Sequence, residues 1–280
     1  MQTVRRTMMK LRNPVPSVLS SFHPSFRLTS FNPGVAPLMQ DILDRAMLQS
    51  GIDDFGWTRS GDRLRWRSTF DDSDSMLAAF QDMQAMMNDM MKLGAEMDKI
   101  DILAPSSSLA RVRKGSENLL GDFKPDYFET DEEYLTGYFR KSSGTKVSRE
   151  LQCTLTPNYT INDWEKARPI MQKIIDAASE EPGCTYFGWA KSGNKLNSSE
   201  IFTDGKSLKS HIERVTPMIE ELKAGPATLD KFDVHGPENE IKQIEESASA
   251  LRPEYFKSEG SPKEALENAA EEQAIEEKSA

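Results

Sequence analysis

The strongest constraint on the fold is an internal repeat. The ten residues FGWTRSGDRL at 55–64 recur 132 positions later as FGWAKSGNKL at 187–196, with six identities. Upstream residues at 37–46 match 169–178 at the same offset, and downstream MDKIDI at 97–102 matches LDKFDV at 229–234. Collinear matches of this kind indicate a duplication. The long period predicts two small domains rather than a solenoid.

A further match follows each copy. The segment KPDYF at 124–128 corresponds to RPEYF at 252–256. Because each segment comes after the last predicted strand of its copy, we predict a C-terminal arm. The arm either packs back on its own domain or crosses to the other one.

The second copy has the clearer secondary-structure pattern. Apolar periodicity and turn signals predict strands at 151–156, 184–189, 196–202 and 229–234, a helix at 164–178, and a second helix beginning at Asp204 or Ser207. The order β-α-β-β-α-β is that of a ferredoxin-like domain, an α+β fold with both helices on one face of the sheet. We expect the other face to be apolar and to be covered by the second copy. Two tandem ferredoxin-like (βαββαβ) domains would then form a single-chain, pseudo-dimeric α+β barrel.

These patterns divide the chain into five segments. We predict a basic tail at 1–24, a first, degenerate domain at 25–114, a linker or arm at 115–149, a second domain with its arm at 150–257, and an acidic tail at 258–280. The first 40 residues contain five Arg or Lys residues and no Asp or Glu. This composition is typical of a disordered tail or of an organelle transit peptide. We assign the protein to the cytoplasm, with the mitochondrion or plastid as the alternative if this segment is a transit peptide.

Composition narrows the function classes. A formal charge of −10 repels phosphate backbones, so a nucleic-acid partner is not expected. The chain has no apolar, uncharged run of 18 residues, so we expect no membrane span. Two cysteines and three histidines are too few for a His/Cys-rich zinc site, and Cys153 and Cys184 fall on strands that would not be neighbours, which predicts two buried free thiols. Glycine-rich nucleotide-binding motifs are absent from the sequence, which therefore gives no support for a flavin or nucleotide cofactor.

Several residues of the second copy resemble a known family. They are EEPGC at 180–184, YFGW at 186–189, EIF at 200–202 and His211. The pattern is similar to the antibiotic-biosynthesis-monooxygenase-like (ABM-like) proteins of the dimeric α+β barrel superfamily. In that family an E-x-G sequence begins the second strand, a Glu lies on the third strand and a His lies on the second helix. Its members include cofactor-free quinone-forming monooxygenases, haem-degrading monooxygenases, isomerases and proteins without an established reaction.

The first copy departs from this pattern. Ser68 stands where the second copy has Glu200, and Ala79 stands where it has His211. The entry to the second strand reads QSGI at 49–52, without the Glu. We therefore expect the second copy to carry any site and the first copy to be a structural half.

The resemblance implies that Glu200 and His211 form the site. A carboxylate and an imidazole side by side would act as an acid/base pair that takes a phenolic or enolic proton before oxygen attacks. The alternative is a structural hydrogen bond that ties the helix to the sheet. His211 could also ligate a haem iron, as a helix histidine does in the haem-degrading branch.

Three aromatic residues are candidates for the wall of a substrate pocket: Trp189, Phe187 and Phe202. Trp57 and Trp189 occupy equivalent positions in the two copies, and such a pair also fits core packing. The resemblance thus implies an ABM-like monooxygenase, or a related enzyme, that acts without a bound cofactor on a small-molecule substrate of aromatic or polyketide-like character. The alternative hypothesis is a non-catalytic module of the same fold that binds a ligand or another protein.

Overall fold

The computed structural model describes residues 20–28, 32, 34–121, 123–130, 138–140 and 151–258. The acidic tail predicted at 258–280 lies outside this part of the chain except for its first residue, as does the basic tail predicted at 1–24 up to residue 19. Within the described residues, no helix combines the length and apolar composition needed to cross a bilayer.

The first half begins earlier and ends later than the sequence suggested. Its elements are β1 (Ser20–Leu28), α1 (Val35–Leu48), β2 (Ile52–Ser60), β3 (Arg63–Phe70), α2 (Ser73–Lys92), β4 (Ala95–Ala104), α3 (Ser106–Leu120), β5 (Asp126–Glu129) and β6 (Tyr138–Arg140). The first strand therefore begins inside the segment predicted as a tail. Helix α3 crosses the predicted boundary at residue 114, because Leu109 and Val112 continue the buried core on its inner face.

The second half follows the predicted order. Its elements are β7 (Cys153–Ile161), α4 (Trp164–Glu180), β8 (Cys184–Ser192), β9 (Lys195–Phe202), α5 (Gly205–Lys223), β10 (Ala227–Gly236), the short helices α6 (Glu238–Ile241) and α7 (Glu245–Ala248), and β11 (Glu254–Lys257). Asp204 caps α5 by accepting a hydrogen bond from the Ser207 backbone N–H at 2.7 Å. Gly193 lies in the β8–β9 turn with a φ of 58°. A residue with a side chain would be strained in this backbone conformation.

Ten strands form one closed barrel, in the order β5-β4-β1-β3-β2-β11-β10-β7-β9-β8 and back to β5. The two arm strands close it. β5 runs parallel to β4 of its own half and pairs with β8 of the other half at Glu129 and Lys191. β11 runs parallel to β10 and pairs with β2 at Lys257 and Arg59. The α+β class and the barrel of two ferredoxin-like halves are confirmed, and each arm makes both of the contacts considered for it.

Two hydrophobic cores lie outside the barrel, between its outer surface and the helices. The first core is filled largely by α2, whose buried methionines are Met76, Met83, Met86, Met87 and Met90. The second core contains both cysteines, which are buried free thiols as predicted. Each of these two cores belongs to one half, and a small apolar cluster of Leu103, Phe128 and Ala190 joins the halves where β5 meets β8.

The inner face of the barrel is polar, and the expectation of an apolar inner face was wrong. Arg65 pairs with Asp233, and Arg63 pairs with Glu254 at 2.8 Å, in both cases between the halves. Arg67 pairs with Asp54 at 2.6 Å. These charges are tolerated because each has an oppositely charged partner within reach. Strand alternation alone gave no sign of such partners, since most lie on the other copy.

The ring of Phe256 is central to this inner face. It is fully buried, it stacks on His235 with ring centroids 4.9 Å apart, and the Arg65 guanidinium lies 4.4 Å from its centroid. The stack on His235 holds β11 against β10, and the Arg65 contact holds it against the first half.

We expect Phe256→Ala to lower the free energy of unfolding by about 3–5 kcal/mol, because it removes a buried ring and leaves a cavity where the arm closes the barrel. Urea unfolding followed by circular dichroism measures this. Leu48→Ala is the control, since Leu48 is 87% exposed and its loss should change stability by less than about 0.5 kcal/mol. A Phe256→Ala variant as stable as this control would contradict the role given to the arm.

Candidate active site

Three ionisable side chains meet under helix α5. Glu200 lies near the end of β9 and points toward the helices, on the same side as Phe202. His211 lies on the buried face of α5. Glu181 caps the C-terminal end of α4, immediately before β8. We call Glu181, Glu200 and His211 the charged trio.

The imidazole of His211 lies between the two carboxylates. Its Nδ1 is 2.9 Å from Oε2 of Glu181, and its Nε2 is 3.0 Å from Oε2 of Glu200. The contact between His211 and Glu200 is an ion pair. The other oxygen of Glu200 accepts a hydrogen bond from the Ser198 hydroxyl at 2.8 Å. The structure therefore brings together the two residues singled out from the sequence and adds Glu181.

The two carboxylates determine the charge of the imidazole. Burial by itself lowers the pKa of His211, but the hydrogen bonds and charges of Glu181 and Glu200 outweigh it and raise that pKa from 6.5 to about 9. His211 is therefore a cation at neutral pH. The trio carries two carboxylates for one positive charge, inside a core that is otherwise apolar.

The first half closes the same helix–sheet interface without these charges. Ala79 occupies the position of His211 and is fully buried. Ser68, at the position of Glu200, donates its hydroxyl hydrogen to the Phe22 carbonyl oxygen at 2.6 Å. Gln49, at the position of Glu181, is bonded to Asp82. The fold therefore does not need a buried charged trio at this place.

The trio is sealed except at one edge. The side chains of His211 and Glu200 are 0% and 3% exposed, whereas that of Glu181 is 12% exposed. Arg214 of α5 crosses this edge, where it pairs with Glu180 and donates to the Ala177 carbonyl oxygen at 3.0 Å. Solvent reaches the trio from the Glu181 side.

The aromatic residues predicted to line a pocket pack into the second core. Phe202 and Phe187 lie against the imidazole of His211, with ring centroids 4.9 and 6.5 Å away. Trp189 contacts Phe187 and Tyr159. Phe187 and Phe202 are fully buried, and Trp189 is nearly so. Phe187 and Phe202 therefore border the trio, and Trp189 contacts Phe187 in the same core.

His211 does not fit the haem-ligand alternative. An axial ligand needs a free ring nitrogen lone pair, and both nitrogens of His211 face carboxylates at 2.9 and 3.0 Å. The described residues also contain no group of three or more His, Cys, Asp or Glu side chains arranged to hold a metal ion.

A cavity of about 420 Å³ lies elsewhere, in the barrel interior. Both halves form its wall, which includes His23, Arg65, Arg67, Lys99, Asp101, Asp126, Phe128, Asn158, Asn197 and Lys231. Among the described residues of this wall, none belongs to the charged trio or to the three predicted aromatic residues. The sequence analysis did not identify this cavity.

The two histidines of the cavity are neutral. Burial, together with the positive charges of Arg67 and Arg65, lowers the pKa of His23 to about 3. Burial and the same two arginines hold the pKa of His235 well below its usual range. His235 is held on both ring nitrogens, by the hydroxyls of Thr58 at 2.9 Å and Thr156 at 3.3 Å.

Two kinds of residue at these places escaped the sequence analysis, for different reasons. Glu181 stands in the E-x-G sequence that carried the resemblance, so its position was a usable signal. The arginines of β3 gave no signal, because their partners lie across the barrel: Arg65 and Asp233 are 168 residues apart.

Comparison with known proteins supports the fold. No family model matches the sequence, and no curated protein matches it significantly. A presumed monooxygenase from Fusobacterium nucleatum superposes with a TM-score of 0.51 at 10% identity, over 77% of this chain and 94% of its own. A presumed monooxygenase from Lactobacillus acidophilus gives 0.49 at 12% identity, over 78% and 92%.

A third solved structure is described as a ferredoxin-fold protein from Listeria monocytogenes related to antibiotic biosynthesis monooxygenases. It gives a TM-score of 0.34 at 10% identity, over 76% of this chain and 93% of its own. At 10% identity, the superposition on the Fusobacterium nucleatum structure establishes a shared fold alone.

The charge states can be tested by nuclear magnetic resonance. The chain has three histidines, and we expect only His211 to be protonated at neutral pH, with a midpoint near 9, because two carboxylates flank it. His23 and His235 should remain neutral down to about pH 5, because burial and arginines oppose their protonation. A ¹⁵N titration of the ring nitrogens measures this, with His211→Asn providing the assignment. A His211 midpoint near 6.5 would refute the carboxylate pairing.

Stability should depend on pH through the same residue. The pKa of His211 is higher in the folded chain than in the unfolded chain, so its stabilising effect is complete below pH 6.5 and is lost as the pH rises through about 9. The stability difference between the native protein and His211→Asn should therefore shrink by about 3 kcal/mol across this window. Urea unfolding on both sides of the window tests this, and a difference that stays constant would count against it.

Proposed function

We propose that this protein is an ABM-like small-molecule monooxygenase, or a closely related enzyme, that works without a bound cofactor. The observation that carries the proposal is the confinement of the charged trio to one half. The first half builds the same interface from Gln49, Ser68 and Ala79, so packing does not account for Glu181, Glu200 and His211. Buried charges that the fold does not require are typical of functional sites.

In this proposal Glu200 is the base. It takes a proton from a phenolic or enolic group of an aromatic, polyketide-like substrate, and the resulting electron-rich anion reacts with dioxygen. Oxygen is the oxidant: at a CH₂ carbon, one oxygen atom replaces two hydrogens as a carbonyl and the other leaves as water. His211 is a positioning residue that balances the charge of Glu200. Glu181 connects the imidazole to solvent, so that the proton can leave at the exposed edge.

Because the charged trio is buried, a substrate needs a route to it. The rings of Phe187 and Phe202 cover the trio, so a substrate has to displace them or approach along the edge where Arg214 and Glu180 pair. Trp189 then belongs to the wall next to the substrate.

A second candidate function is non-catalytic ligand binding. It is favoured by the preformed cavity of about 420 Å³, which lies in the barrel interior and away from the trio. In this case the trio is a structural clamp between α5 and β9.

Oxygen uptake with a panel of polycyclic phenols and anthrones distinguishes the two functions. We expect substrate-dependent uptake that Glu200→Gln lowers by at least about 100-fold, because the variant removes the base. His211→Asn should lower the rate less and shift its pH profile.

Ser68→Ala is the matched control, because it changes the equivalent buried position of the first half, and it should keep the native rate within about two-fold. Equal rates in Glu200→Gln and in this control would refute the acid/base role. A folded protein that binds panel compounds without oxygen uptake would support the binding module.

A further inference from the structure

The barrel contains two junctions between its halves, and the repeat relates them. At the first junction β2 meets β11, and at the second β8 meets β5. The registers correspond: Asp233 pairs with Glu254 across β10–β11, and Asp101 pairs with Asp126 across β4–β5. What fills one junction can therefore be compared directly with what fills the other.

At the first junction an arginine occupies the inner face. The guanidinium of Arg65 pairs with Asp233, whose side chain is fully buried, and lies 4.4 Å from the ring centroid of Phe256. Lys231 lies 3.4 Å from the same carboxylate. The carboxylate of Asp233 and the ring of Phe256 thus form a binding site for a guanidinium group.

The second junction has the same carboxylate and ring but, among the described residues, no arginine at the corresponding place. Asp101 and Phe128 are the counterparts of Asp233 and Phe256. Asn197 occupies the position that corresponds to Arg65. In the β7–β9 pair Asn197 lies opposite Asn158, and in the equivalent β1–β3 pair Arg65 lies opposite Ser25. The short Asn197 side chain donates to Asn158 at 2.9 Å.

The two junctions also differ in the number of cations that pair with their carboxylates. At the second junction Lys99 lies 2.9 Å from Asp101 and 3.6 Å from Asp126, and it is the cation that pairs with these two carboxylates among the residues that the structure describes. At the first junction three cations pair with the two equivalent carboxylates, and they are Arg63, Arg65 and Lys231. Within the described part of the chain, the second junction therefore has one cation fewer than carboxylates.

The remaining cations of the cavity wall have partners of their own. Arg65 pairs with Asp233 and Lys195 pairs with Asp230. Arg67 pairs with Asp54 and also donates to Thr154. None of these carboxylates is Asp101 or Asp126.

The cavity of about 420 Å³ includes the place where the missing arginine would lie, since Asp101, Asp126, Phe128 and Asn197 all line it. We propose that this cavity binds the guanidinium group of a small organic molecule, held by the Asp101 carboxylate and stacked on Phe128. Planar, bidentate pairing with a carboxylate is the geometry that guanidinium groups favour. His23, also in the wall, offers a neutral imidazole as a further hydrogen-bond acceptor.

This site is separate from the charged trio and does not depend on the proposed enzymatic function. Its test uses the full chain and N-methylguanidinium chloride, titrated by calorimetry at constant ionic strength. We expect saturable binding at one site per chain. Urea has a similar planar shape without the charge, and it should not bind at the same concentrations.

Two variants examine the site from opposite directions. Asp101→Asn should weaken N-methylguanidinium binding at least ten-fold, whereas Asp176→Asn, the same change on the exposed face of α4, should leave it unchanged. Asn197→Arg places the missing arginine in the cavity, so it should abolish binding and raise the urea midpoint of unfolding.

The absence of saturable binding in the native protein would overturn the proposal. So would binding that Asp101→Asn leaves intact, or equal binding of urea. If Asn197→Arg fails to fold, the Asp101→Asn comparison with Asp176→Asn still decides the question.

Discussion

Closure of the barrel depends on two strands of four residues each, β5 and β11. A four-stranded ferredoxin-like sheet has open edges, and unpaired edge groups invite association with other chains. Each arm strand runs parallel to the last strand of its own half and also meets a hairpin strand of the other half. The halves are therefore joined by backbone pairing at their edges, while each keeps its own hydrophobic core.

This arrangement explains why paired polar groups line the inside of the barrel. Most apolar strand residues face the helices, so the alternate residues face inward and meet across the lumen, together with the rings of Phe128 and Phe256. Arginines of β3 reach carboxylates of β10 and β11, and Thr58 reaches His235. Paired groups of this kind fix the relative placement of the halves, because a shift of one strand would leave charges buried without partners. At the opposite junction the equivalent of Thr58 is Ala190, which packs against Leu103 and Phe128.

Much of the fold could be predicted because the repeat and local signals agree. The Asp204 cap, the turn at Gly193 and the apolar spacing of α4 each act over a few residues, and each appeared where the sequence placed it. The start of β1 at Ser20 was missed because the acid-free composition of residues 1–40 suggested a tail. Helix α3 was missed because its few apolar residues resemble those of a linker.

The part of the candidate site that lies within one ferredoxin-like unit could be predicted. The contact of Glu200 with His211 follows from the strand–helix geometry of one ferredoxin-like unit, which the sequence order specifies. Whether the rings around them form a core or a pocket does not follow, because aromatic side chains suit both environments. The pairs that join the two halves across the lumen, such as Arg65 with Asp233 and Thr58 with His235, were beyond prediction because their members come from different copies.

Fusion of the two copies in one chain has a consequence for symmetry. In a dimer of identical subunits every substitution appears twice, so both junctions must have the same composition. Here one junction carries Arg65 and Thr58 where the other carries Asn197 and Ala190, and the charged trio occurs in one half alone. Within one chain, a substitution can therefore change one half without changing the other, so that the two halves are free to specialise.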